Sequence, residues 1–450
     1  MPDMFAMRRL EGRPSADGDG IRAQFQVQQG RLDFPRGEQP YRGPAQESAA
    51  MGCGQGRCSA GVICMRHLAT AVVLTLHALA ASAAQVGVLP HLDEAAERLQ
   101  RQTPALMASA GVPGLAMALV TDKGLAWHGT FGLANARTRE PVAEDTVFEA
   151  ASLSKAVFAY AALQLVDAGL LELDTPLVRY LPGGYEVGED PRLAQMTARH
   201  VLSHRTGFPN WRPAGASLAI HFTPGDRFSY SGEGFVYLAR VVERITGDST
   251  ERTVKRLVFE PLGMMHSSFL WQDSHAQRKV FGHDARGEPQ GQRRWASENP
   301  ASSLSTTAAD FGRFLVAVLN GERLKPDTAA EMLRSQVRVG PFTSSIGRPA
   351  TPLSDEVSWG LGWGLQQRNG DQAFWHWGDN GNTKAFAVVS RTHSRGLVFF
   401  ANSVNGLSIA ADLVALAMGE GGQPGLEWLA YRRWQNLPPS SRRDAGVAGH

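Results

Sequence analysis

An α+β fold is predicted for this chain: one sheet assembled from strands at both ends, with a helical lobe inserted between them. Three observations predict it. Strand-like runs cluster at 114–134 and return at 359–401. The intervening stretch, 170–355, holds several patches of helical apolar spacing separated by Pro- and Gly-rich loops. At 450 residues, without internal repeats, the chain is long enough for one large or two medium domains with a substantial core. Strands gathered apart from helices in this way point to α+β architecture.

Each element follows from local pattern. From Leu92 to Ala110 the apolar residues recur at helical spacing. Gly114–Val120 and Leu125–Ala134 read as two strands joined by Asp122-Lys-Gly124, a hairpin-like turn. A helix opens near Ser152 and runs to about Ala168, where Gly169 ends it. Further helical patches fall around 197–204, 232–246, 250–258, 306–320 and 327–335. Strands return at Trp359–Gln366, Ala373–Trp377, Ala385–Arg391 and Gly396–Ala401, and a last helical stretch covers Leu407–Met418. The Pro/Ser/Arg-rich tail, 436–450, has no apolar periodicity and is expected to be disordered.

Composition excludes more than it selects. The 45 basic and 43 acidic residues nearly balance and form no long basic run, which argues against nucleic acid as the main partner. The three cysteines, Cys53, Cys58 and Cys64, lack the fourth ligand and paired knuckle of a zinc site. Met65-Arg66-His67, the apolar run Leu68–Leu79 and the small residues Ala81-Ser-Ala-Ala84 have the layout of a Sec-type bacterial signal peptide, residues 65–84. The apolar run is too short for a stable membrane insertion, and no cysteine follows it to carry a lipid anchor. The expected location is therefore periplasmic or secreted. Residues 1–64, rich in Gly, Arg, Gln and Pro, are expected to be a misassigned or disordered extension, with translation starting at Met65. A mature protein beginning after 84 contains no cysteine, which suits an oxidising compartment.

The chemistry centres on Ser152-Leu-Ser-Lys155. On a helix, i and i+3 share a face, so the Lys155 amine can reach the Ser152 hydroxyl. Serine is a poor nucleophile at neutral pH and needs an adjacent base. Lysine supplies one when desolvation lowers its pKa, whereas arginine does not lose its proton. Only six of the 45 basic residues are lysines, which gives this one weight. The ordinary reading of Ser152 is a helix N-cap, a role that would tie up its hydroxyl. Tyr230, in a Ser/Gly-rich loop before a helical stretch, offers an exposed phenol able to take and return a proton; Tyr237, seven residues on among apolar neighbours, reads as core. Glu233 suits the first turn of a helix through the dipole. His200 and His204, at i and i+4, have a spacing able to bind zinc, but Val201 stands where a zinc protease needs its glutamate. No metal and no cofactor are implied.

Six motifs in order carry a family resemblance: Ser152-x-x-Lys155, His200-Val-Leu-Ser-His-Arg-Thr-Gly-Phe-Pro209, Tyr230-Ser-Gly232, Phe259-Glu-Pro-Leu-Gly-Met264, Ala301-Ser-Ser-Leu-Ser-Thr-Thr-Ala-Ala-Asp310 and His376-Trp377-Gly378. Together they resemble the serine β-lactamase and penicillin-binding-protein superfamily, and most of all the class C β-lactamase-like serine hydrolases, which include esterases and D-amino-acid peptidases. The resemblance covers residues 90–435, read as the catalytic domain. It implies an antiparallel sheet flanked by helices, an α-rich second lobe, and an active site in the cleft between them. It further implies Ser152 as nucleophile and Lys155 as base. Tyr230 would relay the proton to the leaving group, and the backbone N–H groups of Ser152 and Asp379 would form the oxyanion hole.

The departures from the family pattern bear on substrate. Gly232 stands where the family has an asparagine that grips a substrate amide, and a site without that group loses specific hydrogen bonds. His376 and Trp377 replace the lysine and threonine that attract a substrate carboxylate, and a largely neutral imidazole attracts an anion less well. The expected activity is therefore hydrolysis of an ester or amide in a small acyl or D-amino-acid-type substrate, small-molecule or peptide-like, through a Ser152 acyl-enzyme. The alternatives are a true β-lactamase and a penicillin-binding sensor with little turnover.

Overall fold

The computed structural model describes residues 91–340 and 356–436. The candidate leader, the segment before it, the three cysteines and the tail beyond residue 436 lie outside the described residues.

The first helix, Leu92–Ala110, forms because Ala95, Leu99, Thr103, Met107 and Ala110 fall on one buried face. It stops at Gly111, whose φ of 63° is the left-handed cap that glycine adopts without steric cost. A hairpin follows, β1 (Gly114–Thr121) and β2 (Gly124–Asn135), with a bulge where Leu119 pairs with Trp127 but Val120 with Leu125. Short strands come next: β3 (Glu140–Pro141), β4 (Phe148–Glu149), β5 (Gly282–His283), β6 (Pro289–Gly291), β7 (Ser305–Thr306) and β8 (Val337–Arg338). The C-terminal part supplies β9 (Val357–Trp359), β10 (Gly364–Arg368), β11 (Asp371–Asp379), β12 (Lys384–Ser390) and β13 (Arg395–Ala401).

Nine of these strands make one antiparallel sheet in the order β3-β2-β1-β13-β12-β11-β10-β9-β8. The two ends of the chain meet at its centre, where β1 pairs with β13 from Leu115↔Ala401 to Thr121↔Arg395. Both faces are covered, and period-2 alternation sorts the side chains between them. Ala116, Ala118, Val120, Ala385, Ala387 and Val389 face a core shared with the Ser154–Asp167 and Ala308–Asn320 helices. Leu115, Met117, Leu119, Phe386 and Val388 face the other, shared with Leu92–Ala110 and Ala410–Met418. Alanines on the first face let a helix approach closely. A Cβ on Gly312 would stand 2.9 Å from Leu125 and 3.3 Å from Ala118.

The lobe between the strand groups contains the helices Ala198–Leu202, Gly232–Thr246, Thr250–Val254 and His275–Arg278. Its apolar residues, among them Leu202, Phe235, Leu238, Val242 and Phe259, join the same core through the nearly wholly buried Ser154–Asp167 helix. The architecture is the α+β arrangement expected.

Three local expectations are corrected. The run Trp359–Gln366 is not one strand: Gly360–Trp363 turns the chain back, and β9 and β10 pair antiparallel at Trp359↔Gly364. Gly362 has φ 85° there, and a Cβ on Gly360 would meet the Met332 carbonyl at 2.4 Å, so the glycines spaced through an apolar run mark a turn. The helix predicted over 197–204 ends at Leu202, and His204 has φ 55°. His200 and His204 therefore do not share a helical face, which removes the geometry of the zinc spacing. The phenol of Tyr230 is buried, not exposed.

Candidate active site

Ser152 lies in a 3₁₀ turn, Ala151–Leu153, that leads into the Ser154–Asp167 helix. Ala151, just before it, has φ 48°, a left-handed backbone for a residue with a Cβ, and such strain persists only where the surroundings hold it. The holding contacts are visible. Ala150 N–H donates to the Leu304 carbonyl (2.8 Å). The Ser154 hydroxyl donates to the Ala151 carbonyl (2.5 Å) and accepts from Leu304 N–H (3.0 Å). The Ser154 hydroxyl is thus occupied in building the turn. The helix has no side-chain N-cap bond, so the Ser152 hydroxyl is not consumed by capping.

Lys155 is completely buried. Its Nζ donates to Ser152 Oγ (3.1 Å) and to the Ala301 carbonyl (2.9 Å), and it stands 4.6 Å from the centroid of the Tyr230 ring. Among the described residues no carboxylate pairs with it. Burial therefore acts almost unopposed and holds its pKa well below the ordinary lysine value. A neutral amine 3.1 Å from a hydroxyl is placed to accept its proton.

Tyr230 sits in the loop before the Gly232–Thr246 helix. The helix cap fixes that loop: Ser231 Oγ accepts from Gly234 N–H (3.0 Å) and donates to the Pro209 carbonyl (2.8 Å). The Tyr230 ring packs between His204 (centroids 4.2 Å) and Trp377 (4.7 Å). Its hydroxyl is close enough to Ser152 for the serine to bear on its ionisation, without completing a hydrogen bond of regular geometry. Burial raises its pKa and the Ser152 contact opposes that, so it is a phenol at neutral pH.

From the sheet, β11 brings His376, Trp377, Gly378 and Asp379 to the same place. His376 is buried, and its Nδ1 faces the Trp377 carbonyl at 2.8 Å. A carbonyl only accepts, so Nδ1 carries the proton of the neutral ring. Burial first, and then the nearby Lys155, push its pKa down to about 3, which keeps the imidazole uncharged at physiological pH. Trp377 is packed in an aromatic cluster with Tyr230, Trp375 and Trp428. Gly378 lets β11 touch the nucleophile turn: a Cβ there would lie 2.3 Å from the Ala150 carbonyl oxygen. The Asp379 carboxylate accepts from Tyr431 O–H (2.9 Å) and Gly381 N–H (2.8 Å) and pairs closely with Lys384. A bonded bridge braces the assembly, because Asn380 Nδ2 donates to Glu149 (2.7 Å) and to the Ser302 carbonyl (3.2 Å).

Gly232 opens its helix with its N–H donating to the Asn210 backbone carbonyl (3.0 Å) and side-chain Oδ1 (3.1 Å). Glu233 is buried and accepts from both the backbone N–H (3.0 Å) and Nε (3.1 Å) of Arg212, a more specific task than the dipole alone.

The structure thus brings Ser152, Lys155, Tyr230, His376, Trp377 and Gly378 together, and two neighbours escaped the sequence reading. His204 accepts from Ser231 N–H (3.0 Å) and stacks on Tyr230; the helical spacing to His200 concealed that role. The Ala301 carbonyl holds Lys155, and a backbone acceptor has no residue signature beyond the motif it lies in.

A profile of the family described as Beta-lactamase matches residues 99–418. Among curated proteins the chain is similar to Penicillin-binding protein 4 of Amycolatopsis lactamdurans, 27% identical over 348 residues, which take in 71% of this chain and 89% of that one. It is also similar to Esterase EstB of Burkholderia gladioli, 31% identical over 208 residues, 39% of this chain and 51% of the esterase. The match thus spans about half the length of that second relative. Among solved structures, the octameric penicillin-binding protein homologue from Pyrococcus abyssi aligns with a TM-score of 0.60 at 21% identity, over 72% of this chain and 76% of that one. At that identity the likeness concerns the fold.

Proposed function

The chain is a serine hydrolase of the β-lactamase family, and on that premise we propose that it cleaves an ester or amide bond of a small, uncharged acyl or D-amino-acid-type substrate through a Ser152 acyl-enzyme. One observation carries the reading: a fully buried lysine, paired with no carboxylate among the described residues, stands 3.1 Å from a serine hydroxyl. Ser152 Oγ attacks the carbonyl carbon while its proton passes to the neutral Lys155 amine. The backbone N–H groups of Ser152 and Asp379 receive the oxyanion. Because burial keeps Tyr230 protonated, it serves as a relay: its phenol gives a proton to the leaving group and regains one from Lys155. Water then attacks the acyl-enzyme by the reverse route.

Substrate preference follows from the neutral groups of the site. His376 is uncharged, Trp377 is packed into its cluster and Gly232 has no side chain, so neither a carboxylate nor an acylamide finds its usual partner. Short-chain p-nitrophenyl esters should be turned over with at least tenfold higher kcat/KM than nitrocefin, with D-alanyl peptides between them. Efficient nitrocefin hydrolysis with negligible esterase activity would instead make the protein a β-lactamase. An acyl adduct on Ser152 that persists for hours in intact-mass measurements would make it a penicillin-binding sensor.

Export belongs to the same proposal. The 65–84 segment has leader layout, and no helix of the described residues is long and apolar enough to cross a membrane. Expression from Met65 in a Gram-negative host should yield a periplasmic product beginning near Ala84 or Gln85, read by N-terminal sequencing. An uncleaved cytoplasmic product would refute it.

A further inference from the structure

We propose that Trp211 is the specificity-determining residue of the cleft: its indole is the wall against which an apolar acyl group lies. The proposal rests on the Ser152 acyl-enzyme reading and names the substrate class of that site.

Trp211 is one of three large apolar side chains exposed among the described residues, at 43%. An exposed indole offers a large, rigid apolar surface to whatever lies beside it. It is also not loose. Asn210, on one side, accepts from Gly232 N–H and Glu233 N–H (3.0 and 3.1 Å). Arg212, on the other, donates to Glu233 from its backbone N–H and its Nε, and pairs with Glu186 at 2.8 Å. Both flanking residues are therefore fastened, Asn210 and Arg212 alike, to the first turn of the helix that carries Tyr230 at its mouth.

The position of the ring is the decisive observation. A Cβ on Gly232 would stand 2.5, 2.6 and 2.8 Å from three atoms of the indole. The ring thus occupies the space that any side chain at 232 would enter, and the glycine and the tryptophan are two halves of one arrangement. The same ring has its centroid 5.8 Å from Lys155 Nζ, with Tyr230 at 4.6 Å and Phe235 at 5.9 Å. A group carried by the carbonyl on Ser152 therefore meets aromatic surface where a hydrogen-bonding amide would otherwise project. Aromatic surface and neutral His376 together favour an uncharged, apolar acyl chain or ring.

The test compares wild type, Trp211→Ala and Trp211→Phe on two ester series. In the first, the acyl group runs from acetyl to hexanoyl and benzoyl with p-nitrophenol as constant leaving group. Trp211→Ala should lower kcat/KM about tenfold or more for hexanoyl and benzoyl esters and less than about threefold for acetyl, with Trp211→Phe restoring part of the loss. In the second series, acetyl is constant and the leaving group varies, and the variants should run parallel to wild type. A parallel acyl profile, or a loss confined to the leaving-group series, overturns the proposal. A shifted pH–rate profile with an unchanged acyl preference also overturns it, because Trp211 would then act by shielding Lys155. Labelling by a small fluorophosphonate separates the two readings. A wild type that is never labelled at Ser152 defeats the acyl-enzyme mechanism itself, whereas equal labelling of both proteins with parallel acyl profiles defeats only the role of Trp211. Gly232→Asn gives an independent check: it should cost much more activity alone than in the Trp211→Ala background, and additive losses count against the shared space.

Discussion

Replacing Lys155 by arginine is expected to lower kcat/KM by roughly 10²–10⁴-fold, the range of a lost general base. The geometry makes this a sharp test. Nζ reaches both Ser152 Oγ and the Ala301 carbonyl from a fully buried position, and among the described residues no carboxylate steadies an ammonium there. A guanidinium brings a permanent charge into that space and has no proton to lose. Lys155→Met separates chemistry from folding: it should be equally inactive yet melt higher, because it removes a buried amine whose charged form is penalised. The pH dependence has a definite sign. The folded pKa lies below the unfolded one, so the native state holds fewer protons between the two values. Stability contributed by this group is greatest above the ordinary lysine value and falls as pH drops toward the lowered pKa. The rate of Ser152 acylation should rise with pH through that same lowered pKa as the amine becomes free. An active, well-folded Lys155→Arg protein would remove lysine from the role of base.

Gly378→Ala should be almost as damaging, although it adds a single methyl group. That methyl would lie 2.3 Å from the Ala150 carbonyl oxygen and 3.2 Å from Ala151 Cβ, so backbone must move. The segments that would part are the ones proposed to hold the oxyanion: the turn carrying Ser152 N–H and the end of β11 carrying Asp379 N–H. Loss of one such donor typically costs ~10²–10³ in kcat. The expected result is a fall of that size in kcat with a smaller change in KM, together with a lower melting temperature. Gly183→Ala is the control, since nothing lies within 4 Å of its added methyl group. If Gly378→Ala retains wild-type kcat, β11 does not supply an oxyanion donor.

Much of this was legible from local pattern. The helix at Leu92–Ala110 declares itself because one buried face imposes a period near four, and the hairpin because two largely apolar runs flank the turn at Asp122-Lys-Gly124, although β1 is buried on both faces and shows no alternation. The helix at Gly232–Thr246 is legible for the same reason, with Ser231 as its cap. The boundary errors share a cause. At Trp359–Gln366 the apolar pattern continues while the backbone turns, and at His204 polar residues of the turn are buried as deeply as the helix before it, so burial alone cannot distinguish a turn packed in the core from a strand or helix.

By itself, the sequence determined which chemical groups are available and in what order: a serine and a lysine three residues apart, a tyrosine before a helix, and an imidazole and indole in place of lysine and threonine. It also determined the elements that carry them, since periodicity and capping act within a few residues. Tertiary structure alone decided what those groups become. Lys155 is dry because the helix bearing it is enclosed by the core, and its second hydrogen bond goes to Ala301, 146 residues away. Ser154 is structural through Leu304, and Asp379 is held by Tyr431. Trp211 lies over Gly232, where no spacing rule would have put it. Ionisation and pocket shape depend on which surfaces exclude water from a given atom, and those surfaces come from segments that meet only when the chain has packed.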